Sequence, residues 1–222
     1  METNTAFEGQ LKEIVGSVVN MGNAATKAIE ASVEALKKRD LRMAHQVIAN
    51  DAEINKMRFT IENMCISLNE KQRMDTGDFQ TIVAVLNIIT ELERIGDYAD
   101  GIAKIVVMIG DEPPLKPLID IPRMSEITID MVNNSIKSFI NRDVELSKRV
   151  VSMDNVVDGL FDQVFRELLT FMMMDSKTIN RATRLIWVAH NLERAADRAT
   201  NICERVVFLV TGNMDEIGAS KY

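Results

Sequence analysis

All four prolines of the 222-residue chain, Pro113, Pro114, Pro117 and Pro122, fall in one short stretch, leaving 112 residues before it and 100 after it without a proline. Proline has no amide hydrogen and clashes with the preceding turn, so it breaks helix interiors. Long helices are therefore permitted everywhere except at this one place. The rest of the composition agrees: ten glycines, 5% aromatic residues and 46% hydrophobic residues favour an all-helical fold with enough apolar surface for real cores.

Apolar spacing places the helices. Phe7, Leu11, Ile14, Val18, Met21, Ala25 and Ala28 alternate steps of four and three, the seam of a helical bundle. Six helices are predicted, over about 6–39, 41–74, 79–109, 123–141, 143–174 and 177–211. The breaks lie at Lys37-Lys38-Arg39-Asp40, at Asp75-Thr76-Gly77-Asp78, in the proline stretch, at Arg142-Asp143 and at Asp175-Ser176. Residue matches expose a duplication: Arg39-Asp40 returns as Arg142-Asp143, Met74-Asp75 as Met174-Asp175, and Leu92, Glu93, Arg94, Asp97, Ala99 and Ile102 all recur one hundred residues on. The expected fold is all-α: two tandem, duplicated, antiparallel three-helix bundles, residues 1–110 and 123–222, joined by a Pro-rich linker over 111–122.

Charge and ends exclude several classes. A net charge of -7 argues against a nucleic-acid ligand, which needs a basic face. Met1-Glu2-Thr3-Asn4-Thr5 lacks the basic and apolar regions of a signal peptide, and no apolar run approaches the roughly 18 residues of a spanning helix, so a cytoplasmic protein is expected. Cys65 and Cys203 lie on apolar stretches without ligand spacing and read as buried free thiols.

Acids interrupt the seams at matched places. In the second helices the seam runs Val47, Asp51, Ile54, Arg58, Ile61 and Val150, Asp154, Val157, Phe161, Val164, with Asn55 and Asp158 one turn beyond the aspartates. In the third helices Glu93 and Glu193 interrupt it, followed at i+4 by Asp97 and Asp197. Acid pairs at i,i+4 occur six times, about what 33 acids placed at random would give, so only the correspondence between repeats carries weight. Core-facing carboxylates need a partner, and two answers stand level: a cation site, or salt bridges to Arg94 and Arg194. Oxygen-only clusters suit Mg²⁺, Mn²⁺, Ca²⁺ or iron. His190, one turn before Glu193, is matched by Thr90, so duplication gives it no support as a ligand and favours a structural role. His45 reads as exposed, and Met172-Met173-Met174 as core filler or helix-end packing.

The segments Glu93-Arg94-Ile95-Gly96-Asp97-Tyr98-Ala99 and Glu193-Arg194-Ala195-Ala196-Asp197-Arg198-Ala199, with Asp51-Ala-Glu-Ile-Asn55 and the two Arg-Asp dipeptides, resemble the PhoU phosphate-signalling proteins over the whole chain. The resemblance implies a cytoplasmic, homodimeric regulator of phosphate uptake and of the phosphate-starvation response. Its partners would be the phosphate transporter's ATPase subunit and a phosphate-sensing histidine kinase, and it would reach the membrane only through them. It also implies multinuclear iron or zinc sites, which map onto Asp51, Asn55, Glu93 and Asp97, and onto Asp154, Asp158, Glu193 and Asp197, with Asn201 as the asparagine that often follows the family motif. The first repeat has Asp100-Gly101 there instead, and with Asp158 in place of Asn55 the second set is expected to be the better metal binder. The rivals are a carboxylate-bridged dimetal enzyme of ferritin-like type, which expects Glu-x-x-His motifs absent here, and a purely structural bundle. Neither a phosphate-binding glycine loop nor a nucleophile with its base is present, so no enzymatic activity is expected.

Overall fold

The computed structural model describes residues 2–69 and 76–213, the first five of them by backbone only. The described residues form six long helices and no strand: α1 (Glu2–Lys38), α2 (Leu41–Asn69), α3 (Thr76–Ile109), α4 (Asp120–Asn141), α5 (Val144–Met174) and α6 (Ile179–Thr211). A 3₁₀ turn, Ser176–Thr178, leads into α6. The expected end of the second helix at Met74, and the start of the break at Asp75, lie outside the described residues.

The Arg-Asp dipeptides do the same work in both repeats. Arg39 and Arg142 take left-handed backbone, with φ of 55° and 51°. Each helix then closes through paired carbonyl bonds: Asp40 N to Ala35 O at 3.0 Å and Asp143 N to Ser138 O at 2.9 Å. The aspartate that follows starts the next helix, its carboxylate accepting from Met43 N at 3.1 Å in α2 and from Leu146 N at 2.9 Å in α5.

Several boundaries differ from expectation: α1 begins at Glu2 rather than at residue 6, α3 at Thr76 rather than 79, so that Thr76, Gly77 and Asp78 of the expected break are helical, and α6 at Ile179 rather than 177. The fourth helix begins at Asp120 rather than Arg123, because Pro122 sits in its first turn, where a missing amide hydrogen costs nothing. Residues 110–119 remain non-helical and are pinned to the second half: Arg181 Nη1 donates to Pro113 O at 3.2 Å, Arg184 pairs with Glu112 at 3.0 Å, and buried Lys116 pairs with Glu167.

Helices α1, α2 and α3 form one antiparallel bundle and α4, α5 and α6 the other. The halves meet through α3 against α6 and α1 against α4, while α2 and α5 stay on the outside, each touching only its own bundle. One continuous core, from Phe7 through Leu92 and Ile95 to Leu192 and Leu209, runs through both halves. The α3–α6 contact carries the mark of duplication. Asn201 Nδ2 donates to Glu91 at 3.1 Å, and with the repeats exchanged, Asn191 Oδ1 lies 3.1 Å from where a side chain on Gly101 would begin.

Candidate metal centre

The seam acids of each repeat lie where the outer helix crosses the third helix of its bundle. In the first repeat Asp51 comes from α2 and Glu93 and Asp97 from α3. A Cβ on Gly96 would stand 3.0 Å from Ile54 Cδ1 and 3.6 Å from Asp51 Oδ1, so the bare glycine lets Ile54 pack closely on α3, while Asp51 lies beside it at ordinary contact distance. Asn55 Nδ2 donates to Asp51 Oδ2 at 3.0 Å. The other oxygen, Oδ1, is buried without a hydrogen-bond partner.

This first set is largely neutralised from within. Arg58 Nη1 meets Glu93 Oε1 at 3.1 Å while its Nε holds Glu62, and Lys104 pairs with Asp100 at 2.5 Å. Burial pushes the Asp51 carboxyl above its usual range, helped by Asp100 and opposed by Lys104 and Asn55. Asp97 is likewise raised, by burial and then by Glu93 and Asp51.

The second repeat keeps the acids and replaces two of the first repeat's cations, while Arg198 Nη2 stands 3.9 Å from Asp197 Oδ2. At the positions matching Arg58, Lys104 and Asn55 stand Phe161, Glu204 and Asp158. Asp154 Oδ1 is again buried without a partner, and its carboxyl is pushed up to about 7 by burial, then by Asp158, Asp197 and Glu193. Asp158 is raised by burial and by Asp197 and Asp162. Glu193, only 7% exposed, is raised by burial and Asp197; its Oε2 lies 3.2 Å from Nδ1 of exposed His190, whose ring stands 5.9 Å from that of Phe161. Burial also raises Asp197, against the pull of Arg198 and Arg194. Four neighbouring carboxyls raised by burial and by one another make this the more strongly perturbed of the two acid sets.

Several expected partners go elsewhere. Arg94 turns to Glu91 at 3.5 Å and Arg194 lies over the Tyr98 ring, 5.0 Å from its centroid, so neither arginine holds the glutamate beside it. The counter-ion that periodicity missed is Arg58, which shared a seam with Glu93 only once α2 and α3 were paired. Asn201 gives its amide to Glu91, where Arg198 Nη1 also lies at 3.3 Å, because the α3–α6 packing draws it away from Glu193 and Asp197. Of the methionine run at the end of α5, Met172 packs against the core, whereas Met173 and Met174 are 82% and 81% exposed. Cys65 and Cys203 are buried free thiols, and burial raises them to about 11 and about 12.

The all-oxygen chemistry of Asp154, Asp158, Glu193 and Asp197 fits a hard cation, and the partnerless Asp154 oxygen marks where charge is lacking. The side chains do not form a closed cage: among the described residues no three of His, Cys, Asp and Glu are placed to enclose an ion.

Both repeats match the family profile described as the PhoU domain, over residues 18–106 and 121–206. The chain is 38% identical over 205 residues, 92% of its length and 93% of the relative's, to a phosphate-specific transport system accessory protein PhoU homolog of Aquifex aeolicus. It is 33% identical to the homolog of Clostridium acetobutylicum, over 97% of this chain and 99% of that one. Among solved structures, PhoU from Pseudomonas aeruginosa superposes with a TM-score of 0.88 at 29% identity, covering 93% of this chain and 100% of that one. The phosphate transport system regulatory protein PhoU from Streptococcus pneumoniae gives 0.87 at 25% identity, covering 94% and 99%.

Proposed function

The chain belongs to the PhoU family, and from that premise we propose that it is a non-catalytic accessory regulator of phosphate-specific transport. The observation that carries this reading is the match of both repeats, over nearly the full length, to relatives named for that role. Its partners are then the ATPase subunit of the phosphate transporter and a phosphate-sensing histidine kinase, met from the cytoplasmic side by a homodimer. No helix of the described residues is long and apolar enough to cross a membrane, in keeping with membrane contact made through partners.

The proposal includes a cation on the second repeat. Asp154, Asp158, Glu193 and Asp197 would hold it through their carboxylate oxygens. When bound, the ion supplies positive charge that cancels their mutual repulsion and fixes α5 against α6. Iron, zinc and manganese are the candidates. The first set is the weaker candidate, because Arg58 already holds Glu93 Oε1 and Asn55 holds Asp51 Oδ2.

Co-purification with the transporter ATPase subunit, from cells grown in high and in low phosphate, tests the regulatory reading. Association in at least one condition is expected. Its absence in both overturns the reading.

A further inference from the structure

The first repeat carries an open cleft of about 740 Å³ between α1 and α2, floored by Gly96 of α3. Its α1 wall is Ala24, Ala28 and Ala31, and its α2 wall is Met43, Val47 and Ile54. At the matching places in α4 the second repeat has Ile127, Met131 and Asn134, with Met131 fully buried. Three small residues in place of larger ones therefore open the cleft, and small residues are what let a second helix approach closely.

The polar rim carries more acids than bases. Glu30 projects from α1 and Glu53 from α2, against the single cation Lys27, while Glu34 is already paired with Lys37 and Lys38. Asp51 also lines the cleft, and its buried Oδ1 has no partner inside the chain.

We propose that this cleft docks an amphipathic helix of a partner protein, its apolar stripe laid along the alanines and its Lys or Arg side chains facing the acidic rim. Helix-in-groove recognition of this kind reads apolar residues at i, i+3/i+4 and i+7, and the opposite charges set orientation and steer encounter. The inference stands apart from the phosphate reading and from the second-repeat cation, since it uses neither.

The test is fluorescence anisotropy of two labelled 18-residue helical peptides, one of Leu and Lys and one of Leu and Glu in the same pattern, titrated with the full chain. The Leu/Lys peptide should bind at least about tenfold more tightly. Ala28→Met and Ala31→Asn, which fill the cleft with residue types the fold accepts in its other half or nearby, should each weaken it about tenfold, and Asp51→Asn severalfold. Met173→Ser, on an exposed apolar tip far along the chain, should change nothing. Equal binding of the two peptides, no binding of either, wild-type affinity in both cleft-filling variants, or loss in Met173→Ser overturns the proposal.

Discussion

At the scale of single residues the two repeats differ by a few substitutions at matched places, and those decide the chemistry. Arg58 answers Glu93, whereas Phe161 leaves Glu193 to His190. The acids themselves were legible in the sequence, because seam periodicity shows where a carboxylate must point inward. Arg58 was not, since one sequence gives the face of each helix but not the neighbour it meets. A pH prediction follows from Asp154. Its folded-state pKa, about 7, lies above the ordinary carboxyl value, so the folded chain holds a proton that the unfolded chain releases near pH 4. That contribution to stability is complete below pH 4 and is lost as pH rises through about 7. In chelator, Asp154→Asn should therefore melt higher than the wild type at pH 8, by about 1 kcal/mol or roughly 2–4 °C once solvent screening of a partly exposed group is allowed for, with the difference shrinking at pH 5. Thermal denaturation at the two pH values checks it.

At the scale of helices, caps and contacts set the order of the chain. The Arg-Asp breaks were readable as ends and starts, but the left-handed arginines were not, because nothing in an arginine announces positive φ. Replacing Asp143 with Ala removes the cap on Leu146 N and should cost about 1 kcal/mol, measured by urea denaturation. The α1–α4 contact is tighter than sequence periodicity shows: a Cβ on Gly22 would lie 2.0 Å from Ile136 Cδ1. Gly22→Ala should destabilise by about 1–3 kcal/mol despite its better helix propensity. Ile136→Val removes the offending methyl, so the double mutant should be more stable than the sum of the single changes. A double-mutant cycle in urea reads the coupling.

At the scale of the whole molecule, the bundles and their duplication were visible from the proline stretch and the hundred-residue repeat. What was not visible is that the halves share one core. Leu92 and Leu192 are each fully buried, yet their spacing shows only that they face inward, not that α3 packs on α6. The same burial protects the thiols: with Cys65 and Cys203 raised to about 11 and about 12, a thiol reagent at pH 8 should label neither in the folded protein and both in guanidinium. The central claim is that the second repeat, where Phe161 replaces Arg58, holds the stronger cation site. Elemental analysis of protein purified without chelator tests it most directly, with Glu193→Gln, Asp197→Asn and Asp51→Asn alongside. Metal in the wild type and in Asp51→Asn, with loss from the other two, is the predicted result; a metal-free wild type, or equal loss from Asp51→Asn, would contradict it.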